Sequence, residues 1–137
     1  MMKLIRMKII YFSLSFIAMN LILCTLSHSK LIPVSEKDDG SVIQMITGDT
    51  LGLVLKTNPS TGYQWKIVSL DTSLLTLIHS KYIANKVRKN IVGSGGKTKK
   101  LFKALKKGES NLSLIYHRPF EEEGSYIKKF TITLIIQ

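Results

Sequence analysis

Three short segments carry residue types suited to recognition chemistry, and each also has a plain structural reading. Asn58-Pro59-Ser60-Thr61-Gly62-Tyr63 joins two apolar stretches. Pro59 sets one φ angle, Gly62 can take a positive φ, and the Asn58 side chain can cap the turn, so the segment reads as a stiff loop. Taken by itself it also fits an ordinary inter-strand turn. Gly93-Ser94-Gly95-Gly96 lacks a Cβ at three of four positions, which lets main chain approach another surface closely. No Walker-type helix start follows it, so a phosphate cradle is unsupported and a simple linker is the alternative. Arg118-Pro119-Phe120 sets a cation and an aromatic ring just after an apolar run, residue types that dominate binding hot spots. The alternative there is a proline-bearing hairpin with Arg118 paired to Glu121, Glu122 or Glu123.

Catalytic chemistry finds no comparable support. Cys24 is the only cysteine and lies in an apolar N-terminal stretch, so a thiol nucleophile, a thiolate metal site and a disulfide framework are all unsupported. His79 and His117 have no second histidine or carboxylate at ligand spacing. No Ser/His/Asp set or carboxylate pair stands out either. A non-enzymatic protein without metal or cofactor is expected.

These segments need a scaffold, and the chain divides into a leader and one domain. Lys3, Arg6 and Lys8 precede an apolar run from Ile9 to Cys24, broken only by Ser13, Ser15 and Asn20. This is the layout of a secretory signal peptide, residues 1–29, with cleavage between 24 and 30. The alternative is a retained anchor, since Ile9 to Leu26 is at the lower edge of membrane-spanning length. The secretory pathway is the expected route: secreted, in lysosome-like or vesicular compartments, or periplasmic in a bacterium. Residues 30–137 are enough for one domain with its own core. Of the 137 residues, 45% are apolar and 21% charged, a globular balance.

The formal charge is +11, and without the three basic residues of the leader it is +8. The excess is concentrated in Lys81, Lys86, Arg88, Lys89, Lys97, Lys99, Lys100, Lys103, Lys106 and Lys107, with no acidic residue between the first and last of them. Such a run suits a solvated face, an anionic membrane, or steering of an acidic partner. Nucleic acid is not expected, because Phe102 is the only aromatic residue from Ile83 to Lys107 and the leader directs the chain to export.

No segment of the domain sustains a 3.6-residue apolar period, whereas short alternating runs recur at regular spacing. Strands are expected at Ile32–Ser35, Ser41–Thr47, Leu51–Lys56, Tyr63–Ser69, Ser73–Tyr82, Leu101–Leu105, Asn111–His117 and Ile127–Ile136, with a long loop from Ile83 to Lys97 and a turn at Gly108-Glu109. Tyr63, Trp65 and Ile67 share one face of what reads as a central strand. Leu101–Lys107 would also suit a short helix stopped by Gly108. The expected fold is all-β, an immunoglobulin-like β-sandwich of seven or eight strands.

The ordered triple Asn-Pro-Ser-Thr-Gly-Tyr, Gly-Ser-Gly-Gly and Arg-Pro-Phe resembles the chagasin family, protein inhibitors of papain-type cysteine peptidases. The family pattern is Asn-Pro-Thr-Thr-Gly-Phe/Tyr, then Gly-x-Gly-Gly, then Arg-Pro-Trp/Phe, and the match runs in order from about Ile43 to Ile136. Ser60 departs from it by keeping the hydroxyl but not the methyl group of threonine. Phe120 stands where many members carry tryptophan. The resemblance implies that the three loops lie at one end of the sandwich and wedge into the cleft of cathepsin L/B-type peptidases. Asn58 to Tyr63 would cover the catalytic residues, with Ser60 and Thr61 offering hydroxyls. Gly93 to Gly96 would run along the unprimed subsites, where bulk at Gly95 or Gly96 would block approach and spare the fold. Arg118, Pro119 and Phe120 would hold the other side. The domain is expected to act as a monomer and to meet membrane only if the leader is retained. The competing class is an extracellular immunoglobulin-like binding or adhesion module without inhibitory activity.

Overall fold

The computed structural model describes residues 29–85, 95–121 and 124–137. The expected leader up to residue 28, Gly93, Ser94, Lys86, Arg88, Lys89, Glu122 and Glu123 lie outside the described residues. Eight strands form two four-stranded sheets: β1 (Leu31–Ser35), β2 (Val42–Met45), β3 (Thr50–Thr57), β4 (Gln64–Ser69), β5 (Leu75–Ala84), β6 (Gly96–Ala104), β7 (Gly108–His117) and β8 (Lys128–Ile136). One sheet has the order β1-β3-β6-β5 and the other β2-β8-β7-β4. Pairing is antiparallel except for β1 with β3 and β2 with β8. The architecture is the immunoglobulin-like sandwich that the alternating runs predict.

Alternation builds the core. Leu51, Leu53 and Leu55 of β3 face Leu112, Leu114 and Tyr116 of β7 and Phe130, Ile132 and Leu134 of β8 in one buried cluster, joined by Phe102, Leu75 and Trp65. Among the described residues the ten largest fully buried side chains are led by Phe102 and Phe130, and a domain without a disulfide rests on that burial. Asp49 anchors the lower corner, its carboxylate accepting the main-chain N–H groups of Lys30 (2.8 Å) and Ile46 (3.0 Å).

Three expectations change. Tyr63, Trp65 and Ile67 do share the inward face, but β4 is an edge strand that pairs only with β7. Alternation reports which face is buried, and it is blind to how many neighbours a strand has. Gly108 and Glu109 open β7 instead of forming the turn, which falls at residues 105–107. The loop between the fifth and sixth strands is shorter than Ile83 to Lys97, because β5 continues to Ala84 and β6 begins at Gly96. The segment that suits either helix or strand is strand to Ala104: Phe102 and Ala104 enter the core while Lys103 stays outside.

Candidate functional site

β3 and β6 end together, Thr57 pairing with Gly96, so the chain leaving β3 and the chain entering β6 emerge side by side. The hydroxyls of Thr57 and Thr98 close this end with a 2.7 Å hydrogen bond. A Cβ built on Gly95 would lie 3.3 Å from the Thr57 carbonyl oxygen and 3.5 Å from Asn58 Cβ, which measures how closely the two loops abut. Gly95 has φ +64°, a conformation that favours glycine, and its carbonyl accepts the Asn85 N–H at 3.1 Å.

Pro59–Thr61 form a single 3-10 turn, with Pro59 at its start and Gly62 ending it at φ +79°. The Asn58 carbonyl accepts both the N–H (3.2 Å) and the hydroxyl (2.6 Å) of Thr61, and the Pro59 carbonyl accepts the Gly62 N–H at 3.0 Å. The Asn58 side chain does not cap the turn's N–H groups as the sequence suggests; its Oδ1 accepts the Ser60 hydroxyl at 2.6 Å. Ser60 and Thr61 therefore donate their protons inward, where they hold the loop's shape, and only their oxygen lone pairs remain for a partner.

Arg118 binds the third loop to the first. Its Nε donates to the Thr61 carbonyl at 3.0 Å, its Nη1 pairs with Glu121 Oε1 at 2.9 Å, and its guanidinium carbon stands 4.4 Å from the Tyr63 ring centroid. The intraloop pairing and the binding-surface reading coexist, because the guanidinium has donors enough for both. Phe120 is 77% exposed, yet a Cβ on Gly62 would lie 3.5 Å from its ring edge. Glycine at 62 serves both the turn and this close approach.

Tyr116 is the residue that sequence reasoning missed. Its hydroxyl accepts the Asn58 N–H at 2.8 Å, and its ring lies 5.4 Å from Tyr63 and 5.0 Å from Trp65 between centroids. Trp65 in turn donates its indole N–H to the Lys56 carbonyl across the sandwich at 2.9 Å. A column of Arg118, Tyr63, Tyr116 and Trp65 thus ties the loop end to the core. The available signal was an aromatic at the inward phase of a strand, two residues before Arg118.

The described parts of the three motifs, Asn58 to Tyr63, Gly95 with Gly96, and Arg118 to Phe120, therefore meet at one end of the sandwich. One expectation fails: Gly96 is a buried strand residue, and a Cβ there would lie 2.3 Å from the Ile83 carbonyl oxygen and 2.7 Å from the Tyr82 ring. Bulk at Gly96 cannot spare the fold.

Comparison with known proteins bears on the family and the fold. Amoebiasin-2 of Entamoeba histolytica is 28% identical over 116 residues, covering 85% of this chain and 94% of its own. The crystal structure of the cysteine protease inhibitor EhICP2 from Entamoeba histolytica, also 28% identical, superposes with a TM-score of 0.73 over 80% of this chain and 98% of that one. The Leishmania mexicana ICP is 33% identical, with a TM-score of 0.54 over 72% of this chain and 89% of its own. The family model for the chagasin family of peptidase inhibitors, I42, matches residues 44–134, spanning the first motif through the last strand. With the family model covering most of the chain and the sandwich shared with these structures, this chain belongs to the chagasin family, a family of peptidase inhibitors and not of enzymes.

Proposed function

We propose that this protein inhibits papain-type cysteine peptidases of the cathepsin L/B kind, reversibly and as a monomer, by filling the active-site cleft with the surface of Asn58 to Tyr63, Gly93 to Gly96 and Arg118 to Phe120. The observation that carries this reading is the internal bonding of the first loop. Its hydroxyls and main-chain groups close a compact 3-10 turn, while a peptidase cleft takes its substrate as an extended strand. A loop in that shape occupies the cleft without presenting a cleavable bond.

The flanking segments suit the walls. Gly95, already in a left-handed conformation, lets main chain approach a cleft edge, and the exposed Phe120 ring offers a stacking surface worth about 1 kcal/mol beyond its buried area. An interface of standard size, about 1,600 Å², reaches nanomolar affinity, about 12 kcal/mol, when the loops are held beforehand. Arg118 and Tyr116 supply that holding.

The test is a titration of papain and cathepsin L with the domain 30–137, with and without prior labelling of the active-site cysteine. One-to-one inhibition, with binding lost on labelling by a bulky group, is expected. No inhibition at micromolar concentrations, or retained binding to the blocked enzymes, would sink the proposal and favour an adhesion module.

A further inference from the structure

The register of the β1-β3-β6-β5 sheet sorts its lysines by face. Leu51, Leu53 and Leu55 point into the core, and their partners on β6 are Phe102, Lys100 and Thr98. Cross-strand partners share a face, so Lys97, Lys99, Leu101 and Lys103 lie on the outer one. Lys56 joins them opposite Lys97, and Lys81 joins them opposite Lys99. Lys100 turns the other way and hydrogen-bonds to Ser80 at 3.0 Å.

Five lysines thus stand on one sheet face, two pairs of them directly opposed. Like charges in that position destabilise a sheet. Among the described residues the one ion pair is Arg118 with Glu121, so no carboxylate neutralises any of the five. Glu36 reaches the corner of this face, where it accepts the Lys56 main-chain N–H at 2.7 Å. From Lys97 to Lys103 the row extends about 20 Å at strand rise, running from the loop end toward the opposite end of the sheet.

We infer that this outer sheet face, with Lys81, Lys99 and Lys103 at its centre, binds a linear sulfated polysaccharide. The face carries cations in a row and, on its described part, no arginine and no outward Phe, Tyr or Trp ring for stacking a base, the single imidazole of His79 opposite Leu101 being its one ring. Its apolar groups are interleaved with the lysines and form no continuous apolar side of the kind that enters a bilayer: Leu31, 54% exposed, stands at the β1 edge, Leu101 lies between Lys99 and Lys103, and Ile83, 48% exposed, lies opposite Lys97. An extended polyanion matches the row's length and relieves the repulsion along it. Its near end would lie beside Lys97 and Gly96, at the loop end of the sheet.

The probe is a size-defined heparin oligosaccharide. Two charge-matched variants are compared: Lys81→Gln/Lys99→Gln/Lys103→Gln on this face, and Lys66→Gln/Lys107→Gln/Lys129→Gln elsewhere. The face variant is expected to bind on the order of tenfold more weakly at 0.15 M salt and the control within about twofold of the wild type. Heparin should raise the Tm of wild type and control but not of the face variant. In the wild-type protein, heparin should protect Lys81, Lys99 and Lys103 from acetylation and leave Lys66 and Lys129 reactive, a readout that needs no variant to fold. Equal weakening of both variants, or uniform protection, overturns the site. Equally tight binding of single-stranded RNA or phosphatidylserine vesicles through the same three lysines overturns the ligand class.

Discussion

Tyr116→Phe removes one oxygen atom and tests whether the first loop is held before it meets a peptidase. The phenol accepts the Asn58 N–H at 2.8 Å, while the ring stacks between Tyr63 and Trp65, so phenylalanine preserves the column and deletes only the anchor. A neutral hydrogen bond in a partly buried site contributes about 1 kcal/mol, and the Asn58 N–H loses that partner. Urea unfolding should therefore show a loss of about 1 kcal/mol with an unchanged m-value. If the bond selects the bound loop shape, the competent fraction falls by up to about fivefold, and Ki rises by the same factor. Progress-curve kinetics with papain would show it mainly as slower association, since the bound state regains its loop geometry. Loss of stability with unchanged Ki would refute the reasoning, because the hydroxyl would then serve the core alone. A raised Ki with unchanged stability would place the hydroxyl in direct contact with the enzyme.

Other expectations concern the neighbouring positions and the acid limb. Gly96→Ala should lower Tm sharply, by about 2 kcal/mol or more of stability, since its Cβ meets main-chain oxygen at 2.3 Å, whereas Gly95→Ala should cost about 1 kcal/mol for its positive φ. Thermal melts of the two would separate them, and equal Tm values would contradict the strand placement of Gly96. Phe120→Ala should leave Tm unchanged, its ring being mostly exposed, and should speed dissociation from papain by about tenfold; an unaltered dissociation rate removes it from the interface. The main-chain N–H of Ile46, then that of Lys30, holds the Asp49 carboxyl below its ordinary value of 3.8. Its folded pKa being depressed, its stabilisation is present above pH 3.8 and is lost as the pH falls through the folded value. Asp49→Asn should flatten that acid limb and cost about 1–3 kcal/mol at pH 7, because the amide nitrogen cannot accept the second N–H. A variant as stable as wild type at pH 7 would show that the corner does not depend on the carboxylate.

The sequence by itself determined the fold class, most of the strands, and the three segments at which recognition chemistry could occur. Period-two alternation, turn residues and the lack of cysteine in the domain are local properties, readable one strand at a time. Ser60 and Phe120 could be judged as chemical types for the same reason. Which elements are neighbours is a property of pairing. Only the tertiary structure decided that β4 is an edge, that Gly96 is a packed strand residue, and that Tyr116 reaches from β7 to hold Asn58. It also turned Lys100 toward the core side while Lys97, Lys99 and Lys103 went outside, a separation that a run of basic residues cannot express. Loop convergence belongs to the same class: Thr61 and Arg118 stand far apart in sequence and meet through one guanidinium because two sheets end at one place. Burial leaves a periodic trace along the chain, whereas contact between chain segments depends on register and sheet order, which no single segment records.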